Sequence, residues 1–399
     1  MSLKIFKWVI FATLLLECQN LFSFIGYFDE KTDYSFFRGL QPMTYILIIC
    51  FFLAKTKIQG AFQWVYLIFV IFISVFNIRT GREADMKMMT TGFILPIFLS
   101  NYLKNFKDIK FKLIAQKGIV VFYCVVCGLA LVERLLSVII LARNIEASED
   151  GFRSWALCGH PLANALLISI AMSFILLSDM KRKLELFFLG MVALLCFNTR
   201  SSMMYWAAAA VMYYFYLIKS HNKLSKKYFC YLLFAGIIVS VLMLSFGFGN
   251  RIITMGAYDE SSAAVRVAIF DIFNYYPLSD FQFGYPAKDI QMIQYRSGIY
   301  GMIIENYWLL FLLRFGYIFT SILSALMLTF MWKNLKGRKL FDIFYILAAF
   351  LMVSSTNNSL STPNNGILLF LFCVLLHLAT KHYPLNIQTN DFISTNISI

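Results

Sequence analysis

Charge is scarce in this chain. Asp, Glu, Lys and Arg together make up 14% of 399 residues, against about 25% in ordinary soluble domains. So few polar groups cannot coat a water-facing globule, which excludes soluble enzymes and nucleic-acid binders. Histidine is scarcer still. His160, His221, His377 and His382 are the only four, and none is spaced with a Cys or carboxylate partner as a metal site requires. The N-terminus lacks a small-residue cleavage site, so its first apolar run reads as a retained span and not a removed signal. Internal repeats and low-complexity tracts are missing too. The eight cysteines mostly lie inside apolar runs. Cys124-Val-Val-Cys127 sits in such a run and reads as small buried hydrophobes of a helix.

What the chain has in abundance is apolar surface. Hydrophobic residues are 60% of the total, including 42 Phe and 22 Tyr, and the mean hydropathy is +0.71. The runs are continuous and not alternating, which argues for helices over strands. A spanning helix needs ~20 mostly apolar residues. Twelve candidates are present: Ile5–Ile25, Pro42–Ala54, Ala61–Ile78, Met88–Leu103, Gly118–Ala142, Leu162–Ser178, Leu184–Phe197, Met203–Ile218, Tyr228–Phe248, Asn306–Trp332, Phe341–Ser354 and Gly366–Thr380. The expected fold is therefore all-α: a polytopic transmembrane helical bundle of about twelve spans. It forms one integral-membrane domain, 1–399, with a large extracytoplasmic (periplasmic) loop, 249–305, carrying an amphipathic helix.

Charge placement orients the bundle. With the N-terminus inside, the cytoplasmic segments hold 21 basic residues and the opposite segments 12, a bias that places both termini in the cytoplasm and the long loop outside. The kind of base switches with side. Inside, 19 of the 21 are Lys; outside, nine of the 12 are Arg. Lysine suits an anionic lipid surface, whereas the planar fork of arginine matches phosphate oxygens.

Three outer segments carry unusual polar residues. Phe152–Asn164 contains Arg153 and Gly159-His160-Pro161, with the proline near a helix start where it is tolerated. Asn198-Thr199-Arg200-Ser201-Ser202 is a tight turn that sets Arg200 beside helix N-terminal amides, a natural anion site. In the long loop, Ser261–Tyr276 reads as an amphipathic helix carrying Arg266. Tyr276-Pro277-Leu278 breaks it, Phe283-Gly284-Tyr285-Pro286 follows, and Glu305-Asn306-Tyr307 opens the next span. Glu133, Arg134 and Arg314 fall within spans, where charges are costly and usually paired or functional. Glu133 and Arg134 read as structural partners inside the bundle; Arg314, two turns below Glu305, shares its cavity if the two face one way.

Three of these blocks resemble the O-antigen polymerase and O-antigen ligase superfamily, the Wzy-type and WaaL-type integral-membrane glycosyltransferases. They are the Asn-Thr-Arg-Ser-Ser turn, the Arg266 helix running to Tyr276-Pro277-Leu278, and Glu305-Asn306-Tyr307-Trp308-Leu309-Leu310 with Arg314-Phe315-Gly316. Gly-His-Pro-Leu-Ala-Asn is similar to a block in polysaccharide-polymerase relatives. The resemblance covers about 152–316. It implies an enzyme of the bacterial inner membrane with its active site facing the periplasm. Such an enzyme moves a glycan from an undecaprenyl-pyrophosphate donor onto a lipid-linked acceptor, without nucleotide sugar, metal or other cofactor. Membrane lipids and a chain-length regulator are further expected partners. By motif, Arg200 and Arg266 hold the pyrophosphate; of the other outer arginines, Arg153 or Arg296 is read as assisting. Glu305 is the base for the acceptor hydroxyl, His160 a second base candidate, and Asn306 and Arg314 line the cavity. Ligases of the family typically carry His-Asn where this chain has Glu305-Asn306, a departure that weighs against ligase activity and a histidine base there. The product could be O-antigen, capsule or exopolysaccharide. Ligase activity and a lipid-linked oligosaccharide flippase or transporter are the alternatives; the latter often shows two related halves, which this chain lacks.

Overall fold

The computed structural model describes residues 3–16, 18–25, 42–79, 83–104, 109–141, 152–178, 180, 182–219, 223–245, 268–299, 304–356, 358–361 and 366–380. Among them the protein is all-helical and holds no strand. The helices are α1 (Leu3–Leu16), α2 (Gln19–Phe24), α3 (Pro42–Leu53), α4 (Gly60–Arg79), α5 (Glu83–Met89), α6 (Leu95–Lys104), α7 (Ile109–Leu136), α8 (Pro161–Leu176), α9 (Lys183–Phe197), α10 (Arg200–Lys219) and α11 (Lys223–Ser245). After the long loop come α12 (Ile272–Tyr275), α13 (Ala287–Arg296), α14 (Tyr307–Leu335), α15 (Leu340–Ser355) and α16 (Gly366–Thr380). Among the described residues two helices, over Phe111–Leu136 and Tyr307–Leu335, are long and apolar enough to cross a membrane.

The apolar runs become helices because nothing within them offers the backbone a better partner than itself. At one place where two neighbouring side chains compete, the helix changes. Thr90 and Thr91 hydroxyls donate back to the Met86 and Lys87 carbonyls at 2.8 and 3.0 Å. There the chain widens into a π-turn over Thr90–Ile94 that joins α5 to α6, as such bulges do inside helices.

Helix α8 is the centre. Every residue from Pro161 to Leu176 except Ala163 is buried. It is apolar on all sides, so it has no face to present to solvent. Helices α9, α15 and α16 pack around it; α7 packs on α9 and α16, α10 on α15, α4 on α14 and α1 on α3. A reciprocal amide pair crosses this core. Gln63 Nε2 donates to Asn101 Oδ1 at 2.8 Å and Asn101 Nδ2 to Gln63 Oε1 at 2.7 Å.

Four sequence expectations shift. The first run, Ile5–Ile25, is not one helix: α1 ends at Leu16 and α2 begins at Gln19, with Cys18 extended before it at φ −115°. The expected span Gly118–Ala142 lies earlier, at Ile109–Leu136. The expected span Asn306–Trp332 is present as Tyr307–Leu335 but kinked, because Gly316 sits at φ 79°, ψ 165° inside α14. Of the expected helix Ser261–Tyr276, the described part is a 3-10 turn, Ile269–Asp271, followed by the single turn α12. Arg266 lies outside the described residues.

Candidate functional site

The segment 152–160 has no regular structure, so its buried backbone groups need partners from elsewhere. Side chains of α2, α7 and α8 supply them. Glu133, buried near the end of α7, accepts from the amides of Trp155 (2.7 Å) and Ala156 (2.9 Å) through Oε2. Its Oε1 accepts from the Ile140 amide at 3.0 Å. The next residue, Arg134, donates from Nη1 to the Phe152 carbonyl at 2.6 Å. Ser154 Oγ donates to the Ala130 carbonyl at 2.7 Å. Two asparagine amides complete the frame. Asn20 Nδ2 lies 2.9–3.1 Å from the carbonyls of Trp155, Ala156 and Gly159. Asn164 Nδ2 donates to the Trp155 carbonyl at 2.7 Å, while its Oδ1 accepts from the Cys158 amide at 3.1 Å.

His160 ends this segment as the N-cap of α8. Its Nδ1 accepts from the Leu162 amide at 3.3 Å, as an N-cap side chain should, and Pro161 takes the first helical position. The packed protein around the ring, and then the Arg153 charge, lower its pKa to about 4, although the residue as a whole is exposed. His160 is therefore neutral at pH 7. With Nδ1 accepting, the proton of the neutral imidazole is on Nε2.

The segment is also tied to the turn between α9 and α10. The Ser154 amide donates to the Cys196 carbonyl at 3.1 Å, and Arg153 Nε donates to the Phe197 carbonyl at 3.2 Å. Asn198 closes α9 in the left-handed conformation at φ 55°, which asparagine tolerates better than most residues. Arg200 then opens α10 and is partly exposed. Arg153 thus binds the last carbonyl of α9, three residues before Arg200 opens α10, so the two segments meet at the turn that leads into a helix N-terminus, where backbone N–H groups and the helix dipole favour an anion. Asn198 Oδ1, Thr199 Oγ1, Ser202 Oγ and Tyr205 Oη are buried beside it without a hydrogen-bond partner among the described residues.

A second assembly carries the remaining candidates. Asn306 is the N-cap of α14, its Oδ1 accepting from the amides of Trp308 (2.9 Å) and Leu309 (3.3 Å). Glu305 precedes it and is partly exposed, and Trp308 Nε1 donates to Ser355 Oγ at 2.6 Å. Ile269, Ile272, Phe281, Ile290, Ile293 and Ile299 form a small separate core on Leu309 and Leu313 of α14. Arg296, at the end of α13, faces outward. Arg314 is partly exposed in the last turn before the break at Gly316. At that break the loop crosses the helix backbone to backbone. The Tyr285 amide donates to the Leu313 carbonyl at 2.9 Å, and the Ile318 amide to the Gln282 carbonyl at 3.4 Å. The groups that Gly316 releases from the helix ladder are thereby re-paired. A 3-10 turn, Ser359–Ser361, packs on α5, α8 and α14 and so bridges the two assemblies.

The structure therefore joins Arg153, His160 and the Arg200 turn in one place, whereas Glu305 and Asn306 stand at the start of α14, Arg314 lies further along it before Gly316, and Arg296 is exposed on α13. Sequence reading missed the holding roles of Asn20, Glu133 and Asn164. A carboxylate in an apolar helix was the one visible signal, and Glu133 and Arg134 turn out to grip the 152–156 backbone. No protein-family model, curated protein or solved structure matches this chain.

Proposed function

We propose that the chain is an integral-membrane glycosyltransferase of the Wzy type, a bacterial polysaccharide polymerase. It would transfer a growing glycan from its undecaprenyl-pyrophosphate carrier onto the next lipid-linked repeat unit, at the outer face of the inner membrane. Large apolar side chains turned outward on several helices support a lipid surrounding: Phe52 is 81% exposed, Phe215 62% and Phe344 57%. A water-facing protein rarely exposes so many large apolar side chains to this extent. The arrangement of about twelve spans belongs to this proposal. Some spans would be short: α3, with 12 residues, reaches about 18 Å against ~30 Å of hydrocarbon.

The observation that carries the reading is the Arg153 contact with the Phe197 carbonyl, which brings two outer arginine segments to the turn that leads into one anion-favouring helix start. In the reaction the acceptor hydroxyl oxygen attacks the anomeric carbon and the bond to the pyrophosphate oxygen breaks. Negative charge grows on the leaving lipid pyrophosphate. Guanidinium groups of Arg200 and Arg266, assisted by Arg153 or Arg296, would stabilise it most where water is excluded. Glu305 would take the hydroxyl proton. His160, with Nδ1 committed to the cap, would serve as an Nε2–H donor to substrate oxygen.

Gel analysis of surface glycan from a deletion strain tests this. Loss of the protein should leave single-repeat glycans and no ladder. Complementation with Arg200→Lys or Glu305→Gln should fail to restore it. A full ladder with Arg200→Lys removes the case for bidentate phosphate recognition. Accumulation of long lipid-linked polymer in the deletion strain would replace the polymerase reading with a ligase.

A further inference from the structure

Cys18 and Cys158 are 140 residues apart in sequence, yet their sulfur atoms lie 4.0 Å from each other, in contact and not bonded. Both side chains are buried, at 2% and 6% exposure. The chain around each sulfur is fixed. The Asn20 amide donates to the Leu157 carbonyl at 3.0 Å, and Asn20 Nδ2 reaches the carbonyls of Ala156 and Gly159, on either side of Cys158. The Cys158 amide is held by Asn164. A disulfide needs a sulfur separation of about 2.05 Å. Closing the gap therefore takes about 2 Å of sulfur movement, within reach of side-chain rotation at two residues whose backbones are already paired.

We propose that Cys18 and Cys158 form a disulfide in the mature protein, stapling the start of α2 to the segment that bears Arg153 and His160. The reaction needs an oxidant, and we assign that role to a protein dithiol–disulfide exchange catalyst of the outer face. One thiolate attacks the catalyst's disulfide to give a mixed disulfide. The second thiolate attacks that bond and releases the catalyst as a dithiol. Each cysteine loses one proton, and the pair passes two electrons to the catalyst. Exchange takes place during folding, before the bundle packs. Burial then shields the bond from reductants, since exchange requires access to a sulfur. The proposal rests on the function proposed above only for the side of the membrane on which this end of the bundle lies.

The test uses the full chain, in membranes from cells with an active exchange system. Thiols are blocked with N-ethylmaleimide under denaturing conditions without reductant, and the digest is read by mass spectrometry. The expected result is a linked pair of peptides containing Cys18 and Cys158, two hydrogens lighter than their sum and separating on reduction. Recovery of both peptides individually alkylated overturns the disulfide. An exposed reporter, Lys288→Cys, probed in spheroplasts with a membrane-impermeant maleimide, keeps the two proposals apart. Outer labelling with Cys18 and Cys158 alkylated overturns the disulfide alone. No outer labelling with both alkylated overturns the disulfide and the outward-facing site together. A linked pair with outer labelling supports the proposal; a linked pair without it keeps the bond but overturns the outer-face catalyst and the outward-facing site.

Discussion

Replacing Gly316 by alanine tests the crossing of the loop through α14. Gly316 holds φ 79°, ψ 165°, a region that is essentially glycine-only and costs a side-chain-bearing residue about 1–3 kcal/mol. An added Cβ would also meet the Gln282 carbonyl and the Phe283 amide nitrogen. Those are backbone atoms and cannot swing aside. Relief comes only from undocking the loop, which breaks the Tyr285–Leu313 and Ile318–Gln282 hydrogen bonds, worth about 1 kcal/mol each. Those bonds are absent from the open state of either protein and cancel, so the docked state loses about 1–3 kcal/mol of backbone strain, roughly a 5- to 150-fold rise in the open population. Trypsin reads this at Lys288 and Arg296, which lie on α13 of the docked loop. When opening is fast relative to cleavage, the cutting rate follows the open population, so Gly316→Ala should be cut at these sites about one to two orders of magnitude faster than wild type. Gly284→Ala should do the same, since its Cβ would meet the Arg314 carbonyl. The double variant should add little, because both release one contact. Gly128→Ala in α7 is the control: nothing lies within 4 Å of its added Cβ, and its cutting rate should stay at the wild-type value. Equal rates for Gly316→Ala and wild type would refute the crossing as the docking contact.

Two further predictions concern the 152–160 segment. In Glu133→Gln one oxygen can still serve Trp155 and Ala156, but the amide nitrogen faces the Ile140 amide, donor against donor. The variant should lose about 1–3 kcal/mol, read as earlier thermal aggregation of the purified protein, whereas Glu133→Ala should lose more. His160 titrates in the fold at about 4, below its ordinary 6.5, so folding favours the neutral ring. Its contribution is present above pH 6.5 and is lost as pH falls from 6.5 towards 4. His160→Asn keeps a capping side chain that does not titrate and should flatten that part of the stability-against-pH curve.

The helices were legible because a run of apolar residues leaves the backbone little choice. Their breaks were less so. Glu17, Gln19 and Asn20 interrupt the apolar run beside Cys18 and were a local sign of the first break, whereas a single glycine between Phe315 and Tyr317 does not by itself reveal that the helix breaks there. Gly316 and Gly284 stood in two separate motif blocks, but their meeting depends on a long-range backbone crossing with no signature in either block. The same holds at the candidate site. The Arg153 and Arg200 segments were each visible as polar interruptions, while their contact depends on how α9 packs on α8. Glu133 was conspicuous as a charge in an apolar helix. Its partners were not, because they are backbone amides, and every residue but proline has one.

The grip of Glu133 sets a length rule for α7. Ala130, whose carbonyl takes the Ser154 hydroxyl, and Glu133 are three residues apart and so share one side of the helix. One residue inserted between them would swing Glu133 about 100° around the axis, away from Trp155 and Ala156, while Ala130 kept its place. That stretch works as a ruler: descendants of this sequence can trade apolar residues along α7 freely, but cannot change its count there without letting the Arg153 segment go.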